Sequence, residues 1–301
     1  MTMTLLLITL IFTSHSLAAQ PEALTPAGRA FIGPIWSPSG EYIAVSESGY
    51  QGVWLINMIN GKLTQLNNAN AAGFGMAWSH DGRYLATTEN KARSIPRRTA
   101  VMIYDTQTGE NTNLSGFEER LIGTLTWSPD DQNLFLIGHF PLRNAVFSRT
   151  EKTSPAGYNF FSILHDQIVE YNTASQVMLT LQTGQRYLNL RPSPDGQTFV
   201  CEIIGGGLII GNSRGLIAQT DAGERPRWSA DGQYIVYQIA KDDGHRITQS
   251  EIWRMTADGS ELLQITDTPD LIELNPSLAP DNRRVVYEER NSRRIYTLEL
   301  E

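Results

Sequence analysis

Short segments of alternating apolar and polar residues recur along the chain. Six of them read EYIAV, RYLAT, QNLFL, QTFVC, QYIVY and RRVVY. A period of two residues is typical of β-strands, because successive side chains of a strand point to opposite faces of the sheet. The pattern therefore predicts an all-β protein.

A five-residue motif precedes each of these strands. Its copies read WSPSG (36–40), WSHDG (78–82), WSPDD (127–131), PSPDG (192–196), WSADG (228–232) and LAPDN (278–282). Proline fixes the backbone for a type I turn, aspartate accepts nearby N–H bonds, and glycine supplies the positive φ that rejoins the strands. The first residue is apolar mass for packing between neighbouring units. We interpret the motif as structural, so its Ser–Asp pairs are not six active sites.

A hairpin of two further strands follows each of the first five copies. These hairpins are VWLINMINGKLTQL (53–66), VMIYDTQTGENTNL (101–114), QIVEYNTASQVMLTL (167–181), LIIGNSRGLIAQT (208–220) and EIWRMTADGSELLQIT (251–266). Each unit thus supplies four strands, and successive motifs are 42, 49, 65, 36 and 50 residues apart. Four-stranded units of about this length are typical of propeller blades.

The sixth unit has room for only two strands after its motif. The segment EALTP (22–26) resembles the Leu-Thr end of the other hairpins. We therefore expect the first strand of the mature chain to pair with the last blade. The fold class is predicted to be a six-bladed β-propeller of four-stranded blades over residues 20–301, closed so that no sheet edge of the ring is left open.

Residues 1–19 differ from the rest of the chain. An apolar run from Leu5 to Phe12, interrupted only by Thr9, precedes small residues that end in Ala18 and Ala19. This pattern predicts a secretory signal peptide cut after one of these alanines. A retained N-terminal anchor is the alternative, because no Lys or Arg precedes the apolar run. We expect a periplasmic or secreted protein whose mature chain has no membrane span.

The repeated turn and its flanking strands resemble the repeat of the TolB-like, WD-repeat-related β-propellers. The resemblance covers residues 20–301 and implies the six-bladed fold. TolB itself is a periplasmic component of the Tol–Pal envelope system, binds peptidoglycan-associated lipoprotein and carries an α/β domain before its propeller. Here the propeller is expected to start directly after the signal peptide, so the resemblance is to the family rather than to TolB itself.

Charge and cysteine content restrict the function classes. The 32 acidic and 24 basic side chains give a net charge of −8, which disfavours nucleic-acid binding by the surface as a whole. Cys201 is the single cysteine, so an intramolecular disulfide is impossible, and the surrounding TFVCEII indicates a buried strand. We expect a monomer without a cofactor.

Two patterns raise the question of catalysis. Residues 211–215 match G-x-S-x-G, but they fall in the hairpin turn of the fourth unit, where no helix follows, so a hydrolase nucleophile elbow is not indicated. His80 replaces the motif proline and is interpreted as solvated. No metal-ligand spacing occurs, although His139, His165 and His245 would form a metal site if they converged. A metal-dependent hydrolase or lyase is therefore the alternative function, with no catalytic residue and no metal ligand assigned.

Two neighbouring units carry long insertions between their second and third strands, at 89–100 and 138–166. These insertions are basic and rich in aromatic residues, a composition typical of interface hot spots. We predict an exported protein-binding module that holds an acidic protein segment or an anionic envelope component, with arginines donating charge-assisted hydrogen bonds and phenylalanines as anchors. The predicted contact residues are Arg93, Arg97, Arg98, Arg143, Phe147, Arg149 and Phe160. The alternative is that the charges are solvated and the aromatic rings fold back into a small satellite core.

Overall fold

The computed structural model describes residues 20–119, 124–137, 145–148, 158–172, 174–175, 177–268 and 270–300. Within these ranges the regular secondary structure consists of β-strands alone. The strands form a six-bladed β-propeller, and we number the blades after the six motif copies. In every blade except the third, the innermost strand leads into the motif turn and the following strands lie progressively further from the axis.

Blades one and two contain the first strands of the chain, except that β1 (Glu22–Ala23) belongs to blade six. The strands of these two blades are β2 (Phe31–Trp36), β3 (Tyr42–Glu47), β4 (Val53–Asn57), β5 (Leu63–Gln65), β6 (Ala77–Trp78), β7 (Tyr84–Asn90), β8 (Arg98–Asp105), β9 (Asn111–Asn113) and β10 (Glu118–Glu119). Blade one has the order β2-β3-β4-β5. Blade two has the order β6-β7-β8, with both β9 and β10 paired to β8.

The third blade supplies six strands instead of four. They are β11 (Thr124–Trp127), β12 (Asn133–Ile137), β13 (Ala145–Ser148), β14 (Asn159–Leu164), β15 (Gln167–Asn172) and β16 (Met178–Gln182). They form two three-stranded sheets, β11-β12-β13 and β14-β15-β16. The sequence led us to expect the 167–181 hairpin on the same sheet as β12. That detail is wrong, because β13 and β14, both within the 138–166 insertion, pair with β12 and β15 instead.

The two sheets of the third blade pack against each other and against blade four. The rings of Phe135 on β12 and Phe160 on β14 stack with centroids 4.7 Å apart. On the other side of β14, Phe161 meets Phe199 of blade four at 5.0 Å. The rings of Phe160 and Phe161 therefore pack between sheets. For these two residues the structure agrees with the alternative in which aromatic rings of the insertion fold back into a small core.

Blades four to six follow the four-stranded plan. Their strands are β17 (Tyr187–Pro192), β18 (Thr198–Ile203), β19 (Leu208–Asn212), β20 (Gly215–Gln219), β21 (Glu224–Trp228), β22 (Tyr234–Asp242), β23 (Ile247–Thr256), β24 (Leu262–Gln264), β25 (Glu273–Leu278), β26 (Arg284–Glu289) and β27 (Arg294–Glu299). Blade six has the order β25-β26-β27-β1, so its outermost strand comes from the other end of the chain.

The strand β1 pairs antiparallel with β27, as the sequence predicted. Glu22 lies opposite Thr297 and Ala23 lies opposite Tyr296. The pairing continues through Leu24, whose amide donates to the Ile295 carbonyl at 2.8 Å. The buried hydroxyl of Thr25 then accepts the Ile295 amide at 3.0 Å.

The tryptophan of the motif joins neighbouring blades. The indole N–H groups of Trp78, Trp127 and Trp228 donate to innermost-strand carbonyls of the preceding sheet, at 3.2, 3.1 and 2.9 Å. The acceptors are the carbonyls of Ile35, Ala77 and Arg191. Since each indole is both packed and hydrogen-bonded between two sheets, the structural interpretation of the motif is confirmed.

In the second to fifth copies of the turn, serine and aspartate bond to each other. Ser79 donates to Asp81 and Ser229 donates to Asp231, both at 2.6 Å, and the equivalent pairs recur in the third and fourth copies. The glycine amide closes the turn by donating to the serine carbonyl, as in Gly82 to Ser79 at 2.9 Å. The Ser–Asp pairs are thus parts of the turn.

Neighbouring motif turns also contact one another around one face of the ring. The glycine of one copy lies against the proline of the preceding copy, as Gly232 does against Pro194 and Gly40 against Pro280. Copy three has Asp131 in place of glycine, and it meets His80, which replaces the proline of copy two, at 2.7 Å. His80 is exposed, as its interpretation as a solvated residue requires, and its ring is also paired with a carboxylate of the next turn.

Candidate functional site

The propeller has two faces, which differ in their connections. We call the face that carries the motif turns the turn face, and the face that carries the connections between second and third strands the loop face. A cavity of about 240 Å³ opens at the turn face and is lined by motif residues of all six blades. A second cavity of about 160 Å³ lies at the loop-face end of the innermost strands. Together they mark the central channel.

The β7–β8 hairpin of blade two carries three of the predicted contact residues. Arg93 and Arg97 are exposed in its loop, and Arg98 is exposed at the start of β8. Arg98 Nη2 lies 3.7 Å from Glu119 Oε1, so part of its charge is compensated. Ile95 is 99% exposed at the tip of the same loop. An apolar tip flanked by arginines is thus presented on the loop face.

The other predicted contact residues are placed differently. Arg143 and Arg149 lie outside the described residues, and of Phe147 the structure describes only the backbone pairing with Leu134 in β12. Phe160 is 3% exposed and packs between the two sheets of the third blade. Its ring borders the turn-face cavity and not the loop-face surface where Arg93 and Arg97 lie.

Aromatic residues surround the loop-face mouth of the channel. Tyr50 and Phe74 meet edge to face with ring centroids 5.6 Å apart, and both are partly exposed. Both line the loop-face cavity together with the exposed Arg225. Burial raises the pKa of the Tyr50 phenol, and the Arg225 charge opposes that rise. The sequence patterns did not single out these three residues, because no motif contains them.

Acidic and amide side chains near this mouth are already engaged in bonds between blades. Glu202 accepts the Arg225 amide at 3.0 Å, and Glu288 accepts the Gly33 amide at 2.6 Å. Gln238 accepts the Asn275 amide at 2.8 Å in the same way. Each bond joins the second strand of one blade to the innermost strand of the next, so these side chains have a structural role at the channel wall.

Arg191 and Arg227 lie deeper in the channel. Each stands directly before the first residue of a motif copy, and each lines both cavities. Sequence reasoning missed them. The available sequence signal was an arginine directly before the motif. The other four copies have an uncharged residue at that position, namely Ile35, Ala77, Thr126 and Ser277.

The candidate catalytic patterns do not assemble into an active site among the described residues. Ser213 of the G-x-S-x-G match lies between β19 and β20, and its hydroxyl donates to Glu170 at 2.8 Å. His165 and His245 are exposed, and His139 lies outside the described residues. No group of three His, Cys, Asp or Glu side chains suited to one metal ion occurs in the described part. Cys201 is buried, and burial raises the pKa of its thiol.

Comparison with known proteins gives a result at the level of the fold. No protein-family model matches the chain, and no curated protein sequence matches it. Solved β-propellers do match across nearly its whole length. The chain has the fold of the TolB-like propellers. A TolB candidate from Agrobacterium tumefaciens superposes with a TM-score of 0.59 at 17% identity, over 92% of this chain and 93% of that one.

Two further solved structures show the same fold. The β-propeller domain of Cps50 (Swd1) from Myceliophteria thermophila has a TM-score of 0.64 at 11% identity, over 94% of this chain and all of that domain. An oligogalacturonate lyase from Vibrio parahaemolyticus has a TM-score of 0.63 at 14% identity, over 94% of this chain and 97% of the lyase. At such identities the similarity establishes the fold alone, because propellers of one architecture have many functions. The described residues include no helix long and apolar enough to cross a bilayer.

Proposed function

We propose that this protein is an exported binding module whose loop face holds an acidic segment of a partner protein. The single observation that carries the proposal is the surface made by the blade-two loop and the channel mouth. On a chain with a net charge of −8, this surface presents arginines next to exposed apolar and aromatic side chains. We call it the basic loop surface and define it by Arg93, Ile95, Arg97, Tyr50, Phe74 and Arg225.

The first support is the chemistry of the blade-two loop. Arg93 and Arg97 are exposed and form no ion pair with any described residue. Their planar guanidinium groups can each donate two parallel hydrogen bonds to one carboxylate. Ile95, between them in sequence, offers an apolar group that would lose its exposure to water on binding. This pairing of charge and apolar area suits an acidic segment with an apolar residue.

The second support is continuity between that loop and the channel mouth. The Asn90 amide at the base of the loop donates to the Asn70 carbonyl at 3.0 Å. Three residues further along, the Gly73 amide donates to Thr87 on β7 at 2.8 Å. The segment that carries Phe74 is therefore fixed to the strand that leads into the blade-two loop, so both parts belong to the same face of the ring. Interface hot spots typically combine aromatic residues and arginine in this manner.

The export part of the proposal is supported by the sequence of residues 1–19, whose apolar run and small terminal residues suit a signal peptide. An exported propeller of TolB-like fold would meet its partner in the periplasm or outside the cell. The alternative, a metal-dependent lyase or hydrolase, gains support from the similarity to the oligogalacturonate lyase. A stoichiometric metal in the purified protein, together with cleavage of an acidic polysaccharide, would favour that alternative.

The proposal is tested by crosslinking at the loop tip. A photo-crosslinking residue at position 95 is introduced and activated in intact cells, and the attached protein is identified and purified. We expect the double variant Arg93→Glu and Arg97→Glu to bind this partner at least tenfold more weakly, since two favourable charge contacts become repulsive. Arg214→Glu is the matched control, because Arg214 is exposed in the outer β19–β20 hairpin of blade four. Equal binding by the wild type and the double variant would refute the proposal.

A further inference from the structure

Two arginines occupy matching positions in neighbouring blades and project into the central channel. Arg191 ends the innermost strand of blade four just before the motif, and Arg227 does the same in blade five. Both line the turn-face cavity and the loop-face cavity. Ile35, Met76 and Thr124 also line both cavities, so the two cavities meet at this level of the channel.

The charges of these two arginines are not compensated within the described protein. Neither guanidinium forms an ion pair with a described carboxylate, and Arg191 Nε is buried without a hydrogen-bond partner. Burial lowers the pKa of Arg191 to about 10, and the nearby Arg225 charge adds to that effect. Burial, followed by repulsion from Arg191 and Arg225, lowers the pKa of Arg227 to about 9. The channel therefore holds two half-buried positive charges beside its open space.

Two acidic groups near the loop-face mouth, those of Glu202 and Glu288, do not resolve this imbalance. Glu202 is held by the Asn189 side-chain amide at 2.6 Å and by the Arg225 backbone amide. Glu288 is held by the backbone amide of Gly33 and lies on the wall of the loop-face cavity. Its attraction for Arg227 opposes the depression of the arginine pKa but is the smallest of the resolved causes. Both carboxylates thus serve the bonds between blades.

We propose that the channel binds an oxyanion, either a carboxylate or a phosphate group, between Arg191 and Arg227. Buried charges in proteins are paired, because an unpaired ion loses its hydration without compensation. Two guanidinium groups on adjacent strands match the planar oxygen pairs of carboxylates and phosphates, and Arg225 at the loop-face mouth attracts anions towards the entrance. The cavities of about 240 and 160 Å³ leave space for a small ligand beside the side chains. This site is separate from the basic loop surface of the proposed function, apart from the shared Arg225 at its entrance.

Calorimetric titration of the full mature chain with three probes tests the proposal. Inorganic phosphate and succinate carry the two candidate groups, and succinamide has the size of succinate without its charge. We expect saturable binding of phosphate or succinate and none of succinamide, and the anion that binds more tightly identifies the group. Absence of saturable binding by both anions, or equal binding of succinate and succinamide, would overturn the proposal.

Variants then locate the site. Arg191→Gln and Arg227→Gln should each weaken anion binding at least tenfold, whereas Arg227→Lys should keep part of the affinity by retaining the charge. Arg214→Gln, at an exposed position, should bind as the wild type does. If Arg227→Gln does not fold, Arg227→Lys still decides, because an anion site elsewhere would leave the affinity of this variant equal to that of the wild type. The Arg93→Glu and Arg97→Glu variant should retain anion binding, so failure of the loop-face proposal and failure of this one give different results.

Discussion

Replacing Glu273 with glutamine should remove a pH dependence of stability that arises from one buried carboxyl group. Glu273 is fully buried at the start of β25, where the hydroxyl of Thr268 donates to its carboxylate at 3.0 Å and Thr266 donates to the other oxygen. Burial raises the pKa of this carboxyl from 4.5 to about 7. At about 1.4 kcal/mol for each tenfold change in proton affinity, the difference corresponds to ~3 kcal/mol.

The direction follows from which state binds the proton more tightly. The unfolded chain releases this proton at pH values near 4.5, whereas the folded protein retains it up to about 7. The contribution of Glu273 to stability is therefore fully present below pH 4.5 and decreases as the pH rises to about 7. Glutamine has no such proton, so the stability of Glu273→Gln relative to the wild type should increase across this range.

Urea denaturation of the wild type and the variant at several pH values between about 4.5 and 8 measures this difference. The stability of the wild type is subtracted from that of the variant at each pH, because other carboxyl groups, such as that of Glu288, also have raised pKa values and contribute to the pH dependence of both proteins. Glu261→Gln is the matched control, since Glu261 is exposed at the edge of blade five. A free-energy difference between Glu273→Gln and wild type that stays constant with pH would refute the reasoning.

Three further predictions concern the ring and its cysteine. Thr25→Val removes the acceptor for the buried Ile295 amide and should lower the free energy of unfolding by about 1–3 kcal/mol. Thr25→Ser keeps a hydroxyl acceptor and should retain the stability of the wild type. Urea titrations measure both variants. A double-mutant cycle of His80→Ala and Asp131→Asn should give a coupling below about 1 kcal/mol, and alanine keeps the His80 backbone amide that also donates to Asp131. Because the hydrogen bond from Asp131 raises the pKa of the His80 side chain, this coupling should be largest while the imidazole is protonated and should weaken as the pH rises through that pKa. A coupling that does not change with pH would contradict the ion pair. Cys201 should react with a thiol reagent only after unfolding, and rapid native labelling would contradict its burial.

Much of the fold follows from local sequence. The motif turns, the alternating strands and the pairing of residues 22–23 with β27 were predicted because each depends on a repeated pattern or on the strand missing from the sixth unit. The split of the third blade was not predicted. Residues 145–148 and 159–164 are two strand-forming segments inside one insertion, and their partners are decided by which sheet edges are free in the folded ring.

The candidate site residues also divide into those that the sequence predicted and those that it did not. Arg93 and Arg97 were identified because a long basic insertion is visible in the sequence, and they are exposed as a loop of that kind would place them. Phe160 belongs to the other insertion and is buried, since the largely apolar segment NFFSIL forms the strand β14, whose four central residues are buried. Neither Arg191 nor Arg227 belongs to a repeated motif or to a long basic insertion in the sequence. Only the placement of adjacent blades around one axis brings them to the same channel level.

The contacts between successive motif turns have a consequence for exchanging repeats. Glycine lies against proline at three junctions, those of Gly40 with Pro280, Gly196 with Pro129 and Gly232 with Pro194, whereas the polar pairs of Asp131 with His80 and Asn282 with Asp231 each occur once. A blade that carries one half of a polar pair would lose its partner if it were moved to another place in the ring. These two junctions therefore restrict which repeats can be exchanged.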